Sequence, residues 1–218
     1  PPIVTLIHKP GQAQSQVTMT LPGLLRTNPE YWKLNLLMSV FGGSDSLMYT
    51  RLRDDLGYVY AAGFYQTFKW QAGLLVGSIN CQGDKAVDAT LETLEIMKSL
   101  RRSVPEREME RQRLDALNSF VFNLDTKSDL VQAYGRYRLR GEPLDTLGRI
   151  QDAFFTADRN ELLEIARRLF DPGRLQIHIV ADKTIPVQKP GGSTVTLEED
   201  LKAMARALKL PFREIELR

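Results

Sequence analysis

Cysteine is nearly absent. Cys81 is the only one among 218 residues, which excludes an intrachain disulfide and any metal site built from several thiolates. It closes an apolar, alternating stretch, so a buried and unreactive thiol is expected. Histidine is almost as scarce: His8 stands before Lys-Pro-Gly and His178 inside an apolar run. Neither has a second histidine or a carboxylate at the i+3 or i+4 spacing of a zinc site, and neither is set up as the base of a Ser or Cys hydrolase. Structural roles are expected for both. No run approaches the roughly 18 apolar residues of a membrane-spanning helix, and the first residues do not read as a signal peptide.

An excess of one charge is lacking too. Lys and Arg total 29 against 27 Asp and Glu, a net charge of +2, with the two signs interleaved, so no nucleic-acid partner is expected. Arg101, Arg102 and residues 111–113 fall on helices that also carry Glu and are expected on a solvated face. The chain opens on Pro-Pro-Ile-Val without a methionine, as expected of a segment of a longer polypeptide.

What is present is ordinary globular material, 43% hydrophobic and 26% charged, enough to bury a core. Residues 3–9 and 15–21 read as strands around a Pro10-Gly11 turn. Asn28 and Pro29 read as a helix N-cap and first position. The helix carries Leu34, Leu37, Val40 and Phe41 and stops at Gly42-Gly43. A short helix over 46–56 ends at Gly57. Residues 58–69 and 72–81 alternate as two strands joined near Trp70-Gln71. Asp84 is expected to cap a helix with Val87, Leu91 and Leu94 inward. Ser103 and Glu106 stand at capping-box spacing before another, carrying Met109, Leu114 and Leu117. Further helices fit 126–140, 143–154 and 157–170, and 174–182 reads as a long strand. Residues 183–196 read as a loop, followed by a helix near 197–208 and a short last strand. The order implies an α+β fold, a largely antiparallel sheet packed against a layer of helices. It implies one domain over 1–218, with 183–218 as a tail of loop, helix and short strand.

The glycine-rich stretch 41–46, Phe-Gly-Gly-Ser-Asp-Ser, is no phosphate cradle: it lacks the G-x-x-x-x-G-K-[ST] pattern and follows a helix rather than a strand. A helix cap explains Gly42. A second glycine at 43 fits close backbone approach to another chain or a ligand.

Residues 8–46, running into Leu-Met-Tyr-Thr-Arg-Leu-Arg-Asp-Asp-Leu-Gly-Tyr-Val-Tyr-Ala-Ala-Gly-Phe at 47–64, resemble the second, zinc-free half of pitrilysin/insulinase-type zinc metallopeptidases. These are inverzincins similar to the mitochondrial processing peptidases. The pattern is a strand pair, a helix ending in paired glycines, a small-residue loop, a helix with a Leu-Arg step, then Gly-Tyr-x-Tyr entering a strand. Residues 105–126, 134–172 and 175–182 continue the likeness, which covers about 1–182. The chain has no H-x-x-E-H, so it is not similar to the half that holds the metal. The resemblance implies no cofactor in this chain, zinc in a homologous partner half fused upstream or separate, and a peptide substrate held between the halves.

It also implies an arginine and a tyrosine reaching the partner's zinc site, seven residues apart. Arg53 with Tyr60 and Arg51 with Tyr58 both satisfy that spacing. The Leu-Arg and Gly-Tyr-x-Tyr register favours Arg53 and Tyr60 as the catalytic pair, while a tyrosine directly after Leu-Gly would select Tyr58. Strand alternation places Tyr58 and Tyr60 on one face, so Tyr58, Arg51, Gly42, Gly43 and Ser44 are expected to contact substrate. The alternative is a scaffold or peptide-binding homologue without catalysis, which has no need of the Arg/Tyr pair.

Overall fold

A computed structural model describes residues 1–69, 72–122 and 124–217, apart from the side chains of residues 68, 69 and 121. The expected joint at Trp70-Gln71 lies outside the described residues. Six strands form one sheet in the order β3-β4-β2-β5-β1-β8: β1 Ile3–His8, β2 Gln14–Pro22, β3 Val59–Lys69, β4 Ala72–Gln82, β5 Gln176–Ala181 and β8 Phe212–Glu216. β3, β4, β2 and β5 pair antiparallel in succession, whereas β1 lies parallel to both β5 and β8. The fold is therefore α+β with a mostly antiparallel sheet, as the sequence implied.

One pairing differs from expectation. β1 and β2 follow each other across Pro10-Gly11 but are not neighbours, because β5 lies between them. β5 alternates Ile177, Ile179 and Ala181, buried on the covered side, with half-buried Gln176, His178 and Val180 on the other, and it carries no Asp, Glu, Lys or Arg to oppose a central place. The turn is held from β5's end: Gly11, at φ +73°, donates its N–H to Asp182 Oδ2 at 2.7 Å.

Helices cover one face of the sheet. Val17, Met19, Leu21, Leu75, Ile79 and Ile177 are buried on that side, under α1 Tyr31–Gly42, α3 Ala86–Leu100 and α8 Leu197–Ala207. α1 is buried nearly all round, its apolar side chains reaching both the sheet and the outer helices α4 Glu106–Phe122, α6 Thr146–Thr156 and α7 Arg159–Leu169. Between α4 and α6 runs α5 Lys127–Leu139, which buries only Ala133 and Tyr137.

Several local expectations are corrected by geometry. Asn28 accepts the N–H of Glu30 at 2.9 Å in a turn, and the helix starts two residues past Pro29, at Tyr31. Asp84 lies in a single 3₁₀ turn before α3 and pairs with Lys85 instead of capping. Leu91 is exposed, and Thr90 and Met97 take inward places with Val87 and Leu94. Pro105, not Ser103, accepts the first bond of α4, while Ser103 Oγ accepts from Arg159. Leu114 is 58% exposed. Arg113 is no solvated residue: its side chain, 13% exposed, donates to the carbonyls of Phe154, Phe155 and Ala157 and so caps the end of α6. Residues 183–196 contain a small hairpin, β6 Pro186–Gln188 with β7 Thr194–Thr196. Its Lys189 pairs with the buried Asp200 of α8 at 2.5 Å.

Candidate functional site

The end of α1 sets the position of everything that follows it. A Cβ on Gly42 would lie 2.3 Å from the backbone nitrogen of Phe64, so this glycine lets the helix abut β3. The close approach inferred from the paired glycines is thus internal at Gly42. Gly43 has extended backbone (φ −73°, ψ −174°) and donates to Ser39. The positive φ of the loop belongs to Asp45, at +52°. Ser46 then caps α2 Leu47–Tyr49 by accepting the N–H of Tyr49 at 3.2 Å, and the helix widens into a π-helical turn, Thr50–Asp55. That turn places Leu52 in the core and leaves Arg51 and Arg53 outside. Gly57, at φ +64°, reverses the chain into Tyr58.

β3 opens with a bulge. Val59 pairs with Cys81 and Ala61 with the adjacent Asn80, so Tyr60 is the extra residue. Arg53 lies beside it: Nη1 donates to the Tyr60 carbonyl and, at 3.5 Å, to that of Val59. The guanidinium thereby satisfies edge carbonyls that the bulge leaves outside the ladder. Tyr60 projects 51% exposed, and its hydroxyl has no partner among the described residues.

The alternation argument for Tyr58 and Tyr60 fails at this bulge. Tyr58 precedes the strand and is half-buried against the core, with Lys85 Nζ 5.7 Å from its ring centroid. It lines a groove of about 470 Å³ with Leu91, Glu92, Glu95 and Lys189. Arg51 faces the same helix: it donates to Glu92 at 2.6 Å and pairs with Asp55 at 3.5 Å. Glu92 holds its guanidinium above the usual arginine range. Gly42, Gly43 and Ser44 line a separate cleft of about 380 Å³ with Asp45, Tyr49 and Ala62. The sequence-selected residues therefore fall into three places: Arg53 with Tyr60 at the bulge, Arg51 and Tyr58 along α3, and the glycine cleft at the end of α1. Neither the bulge nor the π turn has a local sequence signal that distinguishes it from a plain strand and helix.

The scarce residues are accounted for. Burial, with Asp84 adding to it, pushes the Cys81 thiol up to about 12, so it is inert. His8 is buried and accepts the N–H of Lys183 at Nδ1, 3.1 Å away. His178 lies mid-sheet opposite Thr5 and Thr18. Among the described residues no three His, Cys, Asp or Glu side chains converge on a point that could hold a metal, and no helix is long and apolar enough to cross a membrane.

Residues 1–114 match the family profile described as the peptidase M16 inactive domain. No curated protein matches the chain in sequence. Among solved structures, a peptidase M16 inactive domain from Pseudomonas fluorescens superposes with a TM-score of 0.78 at 15% identity over 87% of this chain and 46% of its own. A protease from Helicobacter pylori follows at 0.75 and 16%, over 82% of this chain and 43% of its own. A chain of complex III2 from Candida albicans, with Inz-5 bound, is similar at 0.71 and 11%, over 94% of this chain and 49% of its own. The chain thus spans less than half the length of each, and at these identities the likeness is one of fold.

Proposed function

Because the chain belongs to the peptidase M16 family, in which it matches the inactive domain, we propose that it serves as the zinc-free half of a zinc metalloendopeptidase. In this reading it closes against a homologous half that carries the metal and presents Tyr60 to the peptide bond being cut. This chain's own residues do not fit zinc, since His8 is committed to a backbone N–H and His178 has no ligating neighbour opposite it in the sheet. Zinc in the partner half supplies the activation of water.

What this chain contributes is a hydrogen-bond donor. As the scissile carbonyl gains a fourth substituent its oxygen takes on charge, and a phenol O–H held at that oxygen gives a bond that strengthens with the charge. The observation that carries the reading is the Arg53–Tyr60 arrangement. Arg53 fixes the bulge through two carbonyls, and the bulge leaves Tyr60 half exposed, its hydroxyl without a partner among the described residues. Arg53 is a positioning residue here, acting through Tyr60's backbone.

In the enzyme assembled from both halves, Tyr60→Phe is expected to lower kcat by about 10-fold to 10³-fold with KM little changed, because the bond is made chiefly in the transition state. Tyr58→Phe, half-buried beside Lys85, should be much milder. Damage by Tyr58→Phe with a silent Tyr60→Phe would move the role to Arg51 and Tyr58. If neither change slows an active enzyme, the proposed mechanism for this half fails.

A second reading is a scaffold or peptide-binding homologue. It is favoured by the state of the two arginines: Arg53 is engaged by its own chain's carbonyls and Arg51 by Glu92 and Asp55. A scaffold predicts full assembly and no dependence of any activity on Tyr60.

A further inference from the structure

α5 is poorly covered, and its composition does not suit water. Most of the large apolar side chains left exposed among the described residues fall between Leu114 and Phe155, on α5 and on the chain to either side of it. On α5 itself Val131 is 72% and Leu139 81% exposed, whereas only Ala133 and Tyr137 are buried. A helix of this length is marginal by itself in water. One with apolar side chains on its outer as well as its inner side is expected to be covered on both. Its charge is one-sided too. Lys127, Arg136 and Arg138 stand against a single acid, Asp129, which is engaged by the N-cap residue Thr126. From residue 130 to residue 141 there is no Asp or Glu.

The same chain carries a surface of the opposite character. An open groove of about 770 Å³ runs between α2 with its π-helical turn, α3 and the start of α4, and Leu47, Ile96 and Pro105 supply its apolar lining. On its rim Arg51 is balanced by Glu92 and Arg111 by Glu108. Asp45, Asp55 and Glu95, the last beside Lys98, then outnumber Arg102, so the rim is acidic. α4 has 17 residues and is therefore about 25 Å long. It separates the groove at its first turn from α5 beyond its last, so a chain does not fill its own groove.

We infer that a second copy of this chain covers α5: the helix of one copy lies in the α3–α4 groove of the next. The apolar side chains meet the apolar lining, and the arginines meet the acidic rim. Contact of α5 with α5 is disfavoured, since it brings like charges together. The interface is therefore heterologous, made of two different patches, and it builds a ring or an open row of copies rather than an isolated pair. It stands apart from the peptidase reading, because neither Arg53 nor Tyr60 takes part in it.

Sedimentation velocity of the whole chain is the test. Association is expected at concentrations on the order of 10–100 µM, those of a small transient interface, and it should weaken in about 0.5 M salt as the charges are screened. Val131→Glu on α5 and Ser99→Arg in the groove both replace exposed side chains. Each should weaken self-association at least about tenfold while the melting temperature is unchanged, and Glu95→Lys replaces Ser99→Arg if the latter folds poorly. The two variants mixed should form a one-to-one pair that grows no further, because one keeps the groove and the other keeps the helix. A wild-type chain still monomeric at about 1 mM would overturn the inference. So would a mixture that stays as two monomers, or a groove variant that associates like wild type, since α5 would then meet something other than the groove. If the isolated chain is monomeric and the amides of α5 gain hydrogen-exchange protection only in the two-half assembly, the zinc-carrying half covers the helix and the inference fails. A silent Tyr60→Phe leaves this result untouched, and a monomeric chain leaves the tyrosine's role standing.

Discussion

At the scale of single residues, Gly42 and Gly43 illustrate how similar letters serve different constraints. Gly42 is required by the 2.3 Å that a Cβ would leave to the backbone of Phe64, and Phe64 is itself a fully buried ring stacked near Phe41. Gly42→Ala is therefore expected to push α1 off β3 and cost about 1–3 kcal/mol or more of stability, read as a lower denaturant midpoint. At Gly43 the nearest atom is Ser39's carbonyl oxygen at 3.0 Å, on the same helix, so Gly43→Ala should cost less. Equal losses at the two positions would show that helix termination, not the approach to β3, governs both. The pair was legible in the sequence as a helix end with one glycine to spare; that Gly42, read there as the cap, answers to a strand some 20 residues on, while Gly43 is the cap, was not, because no local pattern encodes a distance between backbones.

At the scale of elements, the joint between β1, β2 and β5 depends on one carboxylate. Asp182 accepts the N–H of Thr184 at 3.0 Å and that of Gly11 at 2.7 Å, together with the Thr184 hydroxyl. These bonds, the backbone N–H of Thr184 foremost, hold its carboxyl down at about 2, below the usual 3.8. A carboxyl depressed on folding stabilises the fold above the unfolded value and loses that contribution as pH falls through the folded one. The stability difference between wild type and Asp182→Asn should thus be constant above about pH 4 and shrink towards zero between pH 4 and pH 2. Urea unfolding at a series of pH values checks this, and a difference that stays level down to pH 2 would mean that the charge is not what holds the turn. The Pro10-Gly11 turn was readable from composition, but its partner was not: a two-strand reading assumes adjacency, and the strand that intervenes is formed by residues 176–181.

At the scale of the molecule, α8 and β8 are part of the fold and not an appendage. α8 buries Leu197, Leu201 and Met204, and β8 adds the outermost strand, parallel to β1. We propose that residues 1–218 fold as one unit. Full-length chain should then unfold in a single transition, with fluorescence and circular dichroism coincident. A chain ending at residue 182 should fail to show a cooperative transition, since it leaves the edge of β1 and the apolar surface beneath α8 open. A truncated chain that unfolds with the full-length midpoint would make the tail an independent addition.

Most of the strands and helices were legible in the sequence to within a few residues, because they rest on short-range rules such as period-two alternation in β4 and breakers at Gly57, Gly141 and Pro172; the β6–β7 hairpin, the π-helical turn and the caps at Asp158 and Thr196 were not. Also legible were the α+β class and the family resemblance, which draws on the order of such elements. Tertiary structure decided the rest. It placed β5 between β1 and β2, where both of its edges find backbone hydrogen-bond partners far away in the chain. It drew Arg113 under the end of α6, because unpaired helix carbonyls attract a nearby guanidinium. It separated Tyr58 from Tyr60, because one extra residue in β3 shifts the side-chain alternation by a step, and that shift exists only in the register of β3 against β4.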